Sequence, residues 1–410
     1  MRLLRTGFLP PALLVFFVYS CQKNNGGTPI PPPHLDSMNI RLSVPGAYPN
    51  EEVIISEAGG KILLDTLSPF KEALSATLRT NQTLLDFTLV YFDSINVQFQ
   101  VVTYKGINIS AWSALYQNNY RVPIGPVATR SATIYYQNMP LVSLYGLLVD
   151  DFGGGSYEGW STPAPGILSL DYTQHGTGNY MYLLLPEPGL YNFHIPKGIT
   201  DTVDLSMMDT AIQVTFNKPA SFNIQPTLLI GYMDTLDYTK SVMLYGAFPG
   251  PATPDVEYPK KGVQKLELFV TATNNNKGNA WFYSYADTIP TTMPFPDESF
   301  YTLSSTVNTN FKVAFTKGKP TYYITGWKNT KLFWVINASP DSTGFNPEGI
   351  LGAFKSKLLQ GQDLSGLVLS AFNFETTLGM DYAGFTSYEH SPALSKSKRV
   401  TSSVGFSKSY

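Results

Sequence analysis

The chain has 410 residues, a formal net charge of −2 and 14% charged residues, and aromatic residues also make up 14%. This near-neutral balance and the lack of a basic stripe argue against nucleic acid as a partner. Its single cysteine excludes an internal disulfide and a cysteine-ligated metal site, so the fold must be held by buried cores. The abundance of Tyr, Thr, Asn and Gly is typical of an extracytoplasmic β protein.

The N-terminus carries the pattern of an export signal that ends at Cys21. Arg2 and Arg5 precede an apolar run from Phe8 to Val18, and a serine stands directly before the cysteine. A signal peptidase needs small or apolar residues before the cut, and the cysteine thiol accepts a diacylglyceride. We therefore predict that residues 1–20 are removed and that Cys21 becomes the lipid-bearing first residue of the mature protein.

Two other interpretations of this segment are a transmembrane helix and a secretory signal without acylation. The apolar run is about 12 residues long and is interrupted by Pro10-Pro11, whereas a membrane-spanning helix needs about 20 residues. Tyr19 is bulkier than the small residue usual near such a cut, and it is the one departure from the pattern. The sequence therefore favours the lipid anchor, and cleavage without acylation is the alternative.

A polar tether follows the cysteine. It contains Gly26-Gly27 and Pro31-Pro32-Pro33, which offer little apolar surface and favour an extended spacer. The order of signal, acylated cysteine, Gly/Pro tether over residues 21–35 and β-rich body resembles the envelope lipoproteins of the Bacteroidetes. The resemblance implies that the membrane is a partner of this protein. The lipid would attach the protein to the outer membrane, on its periplasmic or cell-surface face.

The first section of the body, residues 36–125, alternates apolar and polar residues with a period of two. Ala58-Gly59-Gly60 joins Val53–Ser56 to Lys61–Leu64 in a predicted hairpin, because glycine supplies the positive φ of a tight turn. Further strands are predicted at Asn39–Val44, Thr83–Tyr91 and Asn96–Tyr104. This strand rhythm and the Gly-Gly-Lys hairpin faintly resemble immunoglobulin-like, carboxypeptidase-regulatory-like modules, which implies a β-sandwich.

The remaining sections, residues 126–260 and 261–410, are also predicted to be β-rich domains. Strands are predicted at Ala132–Gln137, Leu141–Val149, Tyr180–Leu185, Tyr191–Pro196, Ala211–Asn217, Thr227–Tyr232, Leu266–Val270, Phe311–Phe315, Thr321–Thr325, Lys331–Ile336 and Leu367–Asn373. Only Pro347–Leu359 places its apolar residues at helical spacing. We predict an all-β fold of two or three tandem sandwich-like domains with one short helix.

An Asp-Ser/Thr pattern recurs along the chain. Eight aspartates are followed by Ser or Thr and then by a small or apolar residue or Thr, against about one or two expected by chance. The hydroxyl residues are Ser37, Thr66, Ser94, Thr202, Thr210, Thr235, Thr288 and Ser342. The spacing is similar to the O-glycosylation sequon of exported Bacteroidetes proteins, which implies a glycan on these hydroxyls. The structural alternative is an Asp that ends a turn before a β-branched strand residue.

The sequence carries no recognised catalytic or metal-binding motif. There is no Gly-x-Ser-x-Gly, HExxH or phosphate-loop motif. The four histidines lack ligand spacing, and Asp150-Asp151 lacks the alternate-oxygen spacing of a calcium loop. Acid pairs such as Asp297 with Glu298, or Asp171 with Glu187, stay open because sequence gives no distances. We expect no catalytic residue, no metal and no cofactor, with a hydrolase built from distant carboxylates as an alternative.

Tryptophans provide the remaining binding hypothesis, because an indole presents a flat apolar face to a sugar ring. Trp281 and Trp334 lie within predicted strands and are expected in the core. Trp112 and Trp160 lie in loop-like sequence, and we predict them as ligand-binding residues. The sequence thus indicates a non-catalytic protein of the cell envelope that binds carbohydrate or another envelope protein, with an adhesin or assembly scaffold as an alternative.

Overall fold

The computed structural model describes residues 14–16, 38–43, 51–67, 73–108, 129–138, 157–164, 166–175, 181–185, 189–217, 222–235, 241–246, 255–274, 278–389 and 400–410. Cys21, Ser37, Trp112 and the strand predicted at Leu141–Val149 lie outside these residues. The described part of the chain is mostly β-strand, so the all-β prediction is confirmed.

Twenty-seven strands and two helices follow one another along the described chain. The N-terminal strands are β1 Leu14–Phe16, β2 Met38–Ser43, β3 Glu52–Glu57, β4 Ile62–Leu67, β5 Ala73–Leu78, β6 Leu85–Asp93 and β7 Gln98–Ile107. The middle strands are β8 Thr129–Gln137, β9 Tyr157–Ala164, β10 Ile167–His175, β11 Met181–Leu185, β12 Leu190–His194, β13 Thr200–Asp204, β14 Asp209–Thr210, β15 Ile212–Thr215, β16 Asn223–Tyr232, β17 Ser241–Gly246, β18 Asp255–Tyr258, β19 Lys265–Asn274 and β20 Gly278–Ala286. The C-terminal elements are β21 Tyr301–Val307, β22 Asn310–Phe315, β23 Tyr322–Lys328, β24 Leu332–Ala338, β25 Gly344–Phe345, α1 Pro347–Ala353, β26 Val368–Thr377, α2 Tyr382–Glu389 and β27 Ser402–Ser409.

The chain divides into two compact units that are discontinuous in sequence. Unit 1 comprises residues 1–120, 297–398 and 406–410, and unit 2 comprises residues 121–296 and 399–405. Within unit 1, β24 connects the N-terminal and C-terminal segments, because it pairs with β7 in parallel, with Leu332 opposite Phe99 and Asn337 opposite Tyr104. The three consecutive sections expected from the sequence stay a prediction.

The main sheet of unit 1 contains seven neighbouring strands in the order β26-β23-β24-β7-β6-β3-β4. All neighbours except β24 and β7 are antiparallel. The predicted β3–β4 hairpin is confirmed, and its turn places Gly60 at φ 85°, in the left-handed region that glycine adopts without steric cost. One face of β3, β6 and β7 packs into an apolar core that includes Val53, Phe87 and Tyr104, and Tyr382 of α2 joins this core.

A second, smaller sheet of unit 1 has the order β21-β22-β25 and packs through aromatic side chains. Phe311 of β22 contacts the ring of Trp327 edge-on, with centroids 5.8 Å apart, and also lies near Tyr323. Tyr301 of β21 contacts Phe372 of β26 at 4.3 Å. These contacts form a sandwich core between the small sheet and strands β23 and β26 of the main sheet, since large rings bury much apolar area.

Unit 2 contains a β-sandwich and a further antiparallel sheet. A four-stranded sheet of order β13-β8-β10-β9 faces a three-stranded sheet of order β11-β12-β14. Ile134 and Tyr136 of β8, Leu168 of β10, and Met181 and Leu183 of β11 share one core. The further sheet has the order β17-β16-β19-β20, and β15 pairs with β18.

Two local predictions need correction. The predicted helix Pro347–Leu359 ends at Ala353, because Phe354 takes an extended conformation and the chain after it runs over the main sheet. The sequence around Trp160 predicts a loop, but the backbone of Trp160 lies in β9, opposite Leu170 of β10. Pairing with β10 outweighs the loop-forming glycines that precede Trp160 in the sequence.

Candidate functional site

An open groove of about 600 Å³ lies on the small sheet of unit 1. It is lined by one stretch of β22, by β25 with its flanks, and by single residues of β21 and the β21–β22 turn. The lining residues are Ser304, Thr309, Asn310, Phe311, Lys312, Val313, Thr343, Gly344, Phe345 and Asn346. Strand alternation explains the lining, because Phe311 and Val313 point into the aromatic core while Asn310 and Lys312 are exposed.

Gly344 keeps the floor of the groove open. It lies opposite Lys312 in the β22–β25 register. A Cβ at this position would lie 2.8 Å from the Phe311 carbonyl oxygen and 3.3 Å from Cγ of Lys312. Real Cβ atoms essentially never come as close as the first of these distances, so a side chain here would displace the neighbouring strand and narrow the groove.

Hydrogen bonds hold one wall of the groove in place. Asn346 caps α1, since its Oδ1 accepts from the Gly349 amide at 2.8 Å. The Glu348 amide donates to the Asn308 carbonyl at 2.9 Å, and the Val313 amide donates to the Thr343 carbonyl at 2.9 Å. The wall therefore has a fixed position relative to β22.

The chemistry of the groove is that of hydroxyl, amide and ammonium groups. Ser304, Thr309 and Thr343 supply exposed hydroxyls, Asn310 supplies an amide, and Lys312 supplies the ammonium. The half-buried ring of Phe345 is engaged by Phe311 and by the ammonium of Lys105, which lies 6.0 Å from the ring centroid. Such a surface can donate and accept hydrogen bonds with a neutral, polyhydroxylated or amide-bearing ligand.

Buried carboxylates form a separate cluster on β3 and β4 of unit 1. Glu52 is fully buried and accepts hydrogen bonds from the Lys357 amide at 2.7 Å, the Leu358 amide at 3.2 Å and the Ser356 hydroxyl. Asp65 lies on the same face of the hairpin, two positions along in register. Burial first, and then the neighbouring Glu52 carboxylate, raise the pKa of Asp65 to about 6.

This cluster was not predicted from the sequence, and its geometry indicates a structural role. The Glu52 oxygens are committed to the chain segment that follows α1 and hold that segment against β3. The adjacent Glu51 is also buried, and desolvation raises its pKa to about 7. The adjacent acidic pair Glu51-Glu52 at the start of an apolar strand is the only sequence signal that would have drawn attention to Glu52.

The three described acids considered for hydrolysis, Asp297, Glu298 and Asp171, make structural contacts. The Asp297 side chain accepts from the Ser299 amide at 3.0 Å and caps a short 3₁₀ turn. Glu298 lies 3.1 Å from the Lys408 ammonium. Asp171 accepts from the Thr133 hydroxyl at 2.6 Å, and Glu187 lies outside the described residues. Within the described ranges there is no group of three or more His, Cys, Asp or Glu arranged to hold a metal ion.

His194 is the one histidine whose side chain is described. It lies on β12 with its ring edge-on to Tyr136 at 5.7 Å, and its Nδ1 is 3.0 Å from Oδ1 of Asn192. Burial lowers its pKa to about 4, so the ring is neutral at pH 7. No described donor or acceptor contacts its Nε2.

The Asp-Ser/Thr hydroxyls fall into two groups among the described residues. Ser94, Thr202, Thr210 and Thr288 are exposed, and Thr66, Thr235 and Ser342 are half-buried. The turn-forming role of the aspartate is seen at Asp93, whose Oδ1 accepts from the Ile95 amide at 2.9 Å. Asp65 does not have this turn-forming role, because it lies inside β4.

Comparisons with known proteins identify no family for this chain. No protein-family model and no curated protein sequence matches it. A solved structure described as a Ca2+-stabilized adhesin that helps an Antarctic bacterium reach out and bind ice aligns with 84% of this chain and 90% of its own, at 8% identity and a TM-score of 0.15. A similarity at this TM-score carries no argument about ligand or activity. None of the described helices is long and apolar enough to span a membrane.

Proposed function

We propose that this chain is a lipid-anchored cell-envelope protein with a non-catalytic binding role, and that its groove on β21, β22 and β25 binds carbohydrate. The anchor is supported by the sequence around Cys21, in which a cationic start, a short apolar run and a Gly/Pro tether follow the order of a lipoprotein. The carbohydrate ligand is supported by the groove lining.

The observation that carries the ligand class is the concentration of neutral hydrogen-bonding groups in one open groove. Three hydroxyls and the Asn310 amide surround Lys312, the single charged group of the lining. Sugar hydroxyls both donate and accept hydrogen bonds, so they match a lining of this kind. Because the Phe345 ring is engaged by its neighbours, the groove offers little free aromatic face, and binding is expected to be weak.

The anchor is tested by replacing Cys21 with Ala and fractionating the cells of a related bacterium. In high-salt buffer the unacylated protein is expected in the soluble fraction, because the only proposed covalent attachment is lost. Salt-resistant membrane association of this variant would contradict the anchor.

The groove is tested on purified mature protein by glycan array and calorimetry. Replacing Ser304, Lys312 and Thr343 with Ala should weaken sugar binding at least tenfold, since three bonding groups are removed. The matched control replaces Thr302 and Thr306, which are exposed on β21 but outside the groove. Equal loss in both variants, or binding by neither the parent protein nor the control, would overturn the carbohydrate ligand.

A further inference from the structure

The hairpin that joins β6 to β7 ends in an ordered turn, and we call residues 92–99 the hairpin tip. The Asp93 carboxylate accepts from the Ile95 amide at 2.9 Å, the Asn96 amide at 3.2 Å and the Asn96 side chain at 2.6 Å. The Phe92 and Phe99 rings pack edge-on at 5.2 Å below the turn. These contacts fix the direction in which the residues between Asp93 and Phe99 project.

Apolar side chains are exposed on this ordered turn. Ile95 is 90% exposed, Val97 is 71% exposed and Phe92 is 46% exposed. Val97 also has φ 53°, a left-handed conformation that is rare for a β-branched residue. Gly or Asn at position 97 would adopt this left-handed conformation with less strain, and a polar side chain would be better suited to an exposed position than valine. Since neither property of Val97 stabilises the folded chain, both favour a contact made outside it.

Two lysines lie beside the hairpin tip. The Phe99 amide donates to the Lys331 carbonyl at 2.9 Å, which places the β23–β24 turn next to the tip. Lys328 and Lys331 are exposed, and neither ammonium takes part in a salt bridge with a described carboxylate. Asn329 fixes this turn by accepting from the Lys331 amide at 2.9 Å and donating to the Asp363 carbonyl at 3.1 Å. The Asp363 carboxylate itself accepts from the Ser365 amide and hydroxyl.

We propose that the hairpin tip, with Lys328 and Lys331, docks on an anionic lipid surface. The tip combines exposed Ile, Val and Phe with flanking lysines, a combination that lies well in a lipid headgroup layer. Protein interfaces are instead enriched in aromatic residues, Met and Arg and depleted in Lys. The two exposed lysines beside the aliphatic Ile95 and Val97 therefore favour a membrane over a protein partner.

This proposal rests on the anchored location proposed above, and the tether is long enough to allow it. The chain enters β2 at Met38, opposite Leu78 of β5. Thr80 donates to Glu57 at 2.8 Å, and Glu57 pairs with Leu85, so this entry lies at the end of β6 away from the tip. The nine residues of β6 span about 30 Å. Residues 22–37, from the tether to the start of β2, can span up to about 50 Å when extended, so anchor and tip can contact the same membrane.

The test uses the mature chain with Cys21 replaced by Ala, so that lipid on the protein does not contribute. The protein is made in a host that adds no glycan, since Ser94 lies within the hairpin tip. Flotation is measured with vesicles of phosphatidylcholine alone and of phosphatidylcholine with an equal part of phosphatidylglycerol. The parent protein should float with the anionic vesicles at low salt and release as salt is raised.

Replacing Ile95 and Val97 with Asp should reduce vesicle binding at least tenfold. The left-handed Val97 position tolerates Asp, so the variant should keep its fold, which circular dichroism checks. Replacing Lys328 and Lys331 with Glu should reduce binding to anionic vesicles by a similar factor. The control is Val307→Asp, at an exposed apolar residue of unit 1 on β21, and it should bind as the parent does.

Three outcomes would overturn the lipid surface as the occupant. In the first, the parent protein binds neither kind of vesicle. In the second, the Val307→Asp control loses as much vesicle binding as the tip variants. In the third, vesicles do not bind and an Ile95→Cys variant cross-links to an envelope protein. The Cys21 fractionation is done in high salt, which releases the electrostatic contact of the tip, and the glycan measurements contain no lipid. A failure of this proposal is therefore distinguishable from a failure of the anchor or of the groove.

Discussion

The indole Nε1 of Trp334 donates to the Thr103 hydroxyl at 2.9 Å, although the two residues are 231 positions apart in the chain. Both side chains are fully buried, and Thr103 also bonds the Thr88 hydroxyl at 2.9 Å. This side-chain hydrogen bond links β7 to β24 in addition to the backbone hydrogen bonds of their parallel pairing. It therefore connects the N-terminal and C-terminal parts of unit 1.

Replacing Thr103 with Val should lower the free energy of unfolding of unit 1 by about 1–3 kcal/mol, because the buried Trp334 N–H loses its acceptor. The matched control is Thr88→Val, which leaves the bond between Thr103 and Trp334 intact and should cost less. Urea denaturation followed by tryptophan fluorescence measures both variants. Equal stabilities of parent and Thr103→Val would show that the bond contributes nothing net.

Glu52 should control the order of the chain segment after α1. In Glu52→Ala, the Lys357 and Leu358 amides lose their acceptor, and we expect their hydrogen exchange to accelerate tenfold or more, since a bond to a charged acceptor is worth about 1.5–3 kcal/mol. Ser356→Ala keeps both amide bonds and should show a smaller effect. Unchanged protection of the Lys357 amide in Glu52→Ala would remove the structural role of Glu52.

His194 should make unit 2 less stable in acid. Its folded pKa is lowered to about 4, whereas an unfolded histidine titrates near 6.5, so the unfolded state binds the proton first. The stability from neutral His194 is complete above pH 6.5 and is lost as the pH falls toward 4, by about 3 kcal/mol. As the pH falls from 6.5 toward 4, the free energy of unfolding of the parent should fall relative to that of His194→Leu, so that the two values converge or cross.

A matched control for His194 is Met181→Leu. Met181 lies opposite His194 in the β11–β12 register and is buried in the core that contains Tyr136, the ring that His194 contacts, but Met181 has no titratable group. Its replacement should change stability by the same amount at every pH. A pH dependence that is the same in His194→Leu and in the parent would assign the acid sensitivity to other groups.

Local sequence patterns predicted most of the described strands but not their partners. The β3–β4 hairpin follows from Ile-rich alternation around Gly59-Gly60, which is local information. The parallel pairing of β7 with β24 is not, because nothing near Phe99 indicates Leu332 as its neighbour. The weakly apolar strand Ser402–Ser409 was missed, since neighbouring strands rather than its own sequence decide its conformation.

The candidate sites were less predictable than the fold. The groove depends on Gly344 lying opposite Lys312, a register that sequence alone does not supply. Trp334 was expected in the core and is fully buried. Trp112 and Trp160 stay predictions as ligand-binding residues, because one lies outside the described residues and only the backbone of the other is described.

The Asp-Ser/Thr pattern leads to a prediction about mass, because a glycan needs a hydroxyl that an enzyme can reach. Protein purified from its own host should be heavier than its sequence plus lipid. Because Ser94 lies in the hairpin tip, the exposed hydroxyls of Thr202 and Thr288 are the favoured sites, whereas Thr66 is half-buried and its Oγ1 lies 3.4 Å from the Leu67 carbonyl oxygen. The excess should therefore come mainly from the exposed group.

Intact-mass measurement of two double variants tests this division. Replacing Thr202 and Thr288 with Ala should remove two glycan increments, since both hydroxyls are exposed in the folded chain. Replacing the half-buried Thr66 and Ser342 with Ala should remove less, unless the sugar is added before folding. Equal losses from the two pairs would indicate addition to the unfolded chain. A parent mass that shows only the lipid increment would leave the aspartates as strand and turn residues and would remove the glycan hypothesis.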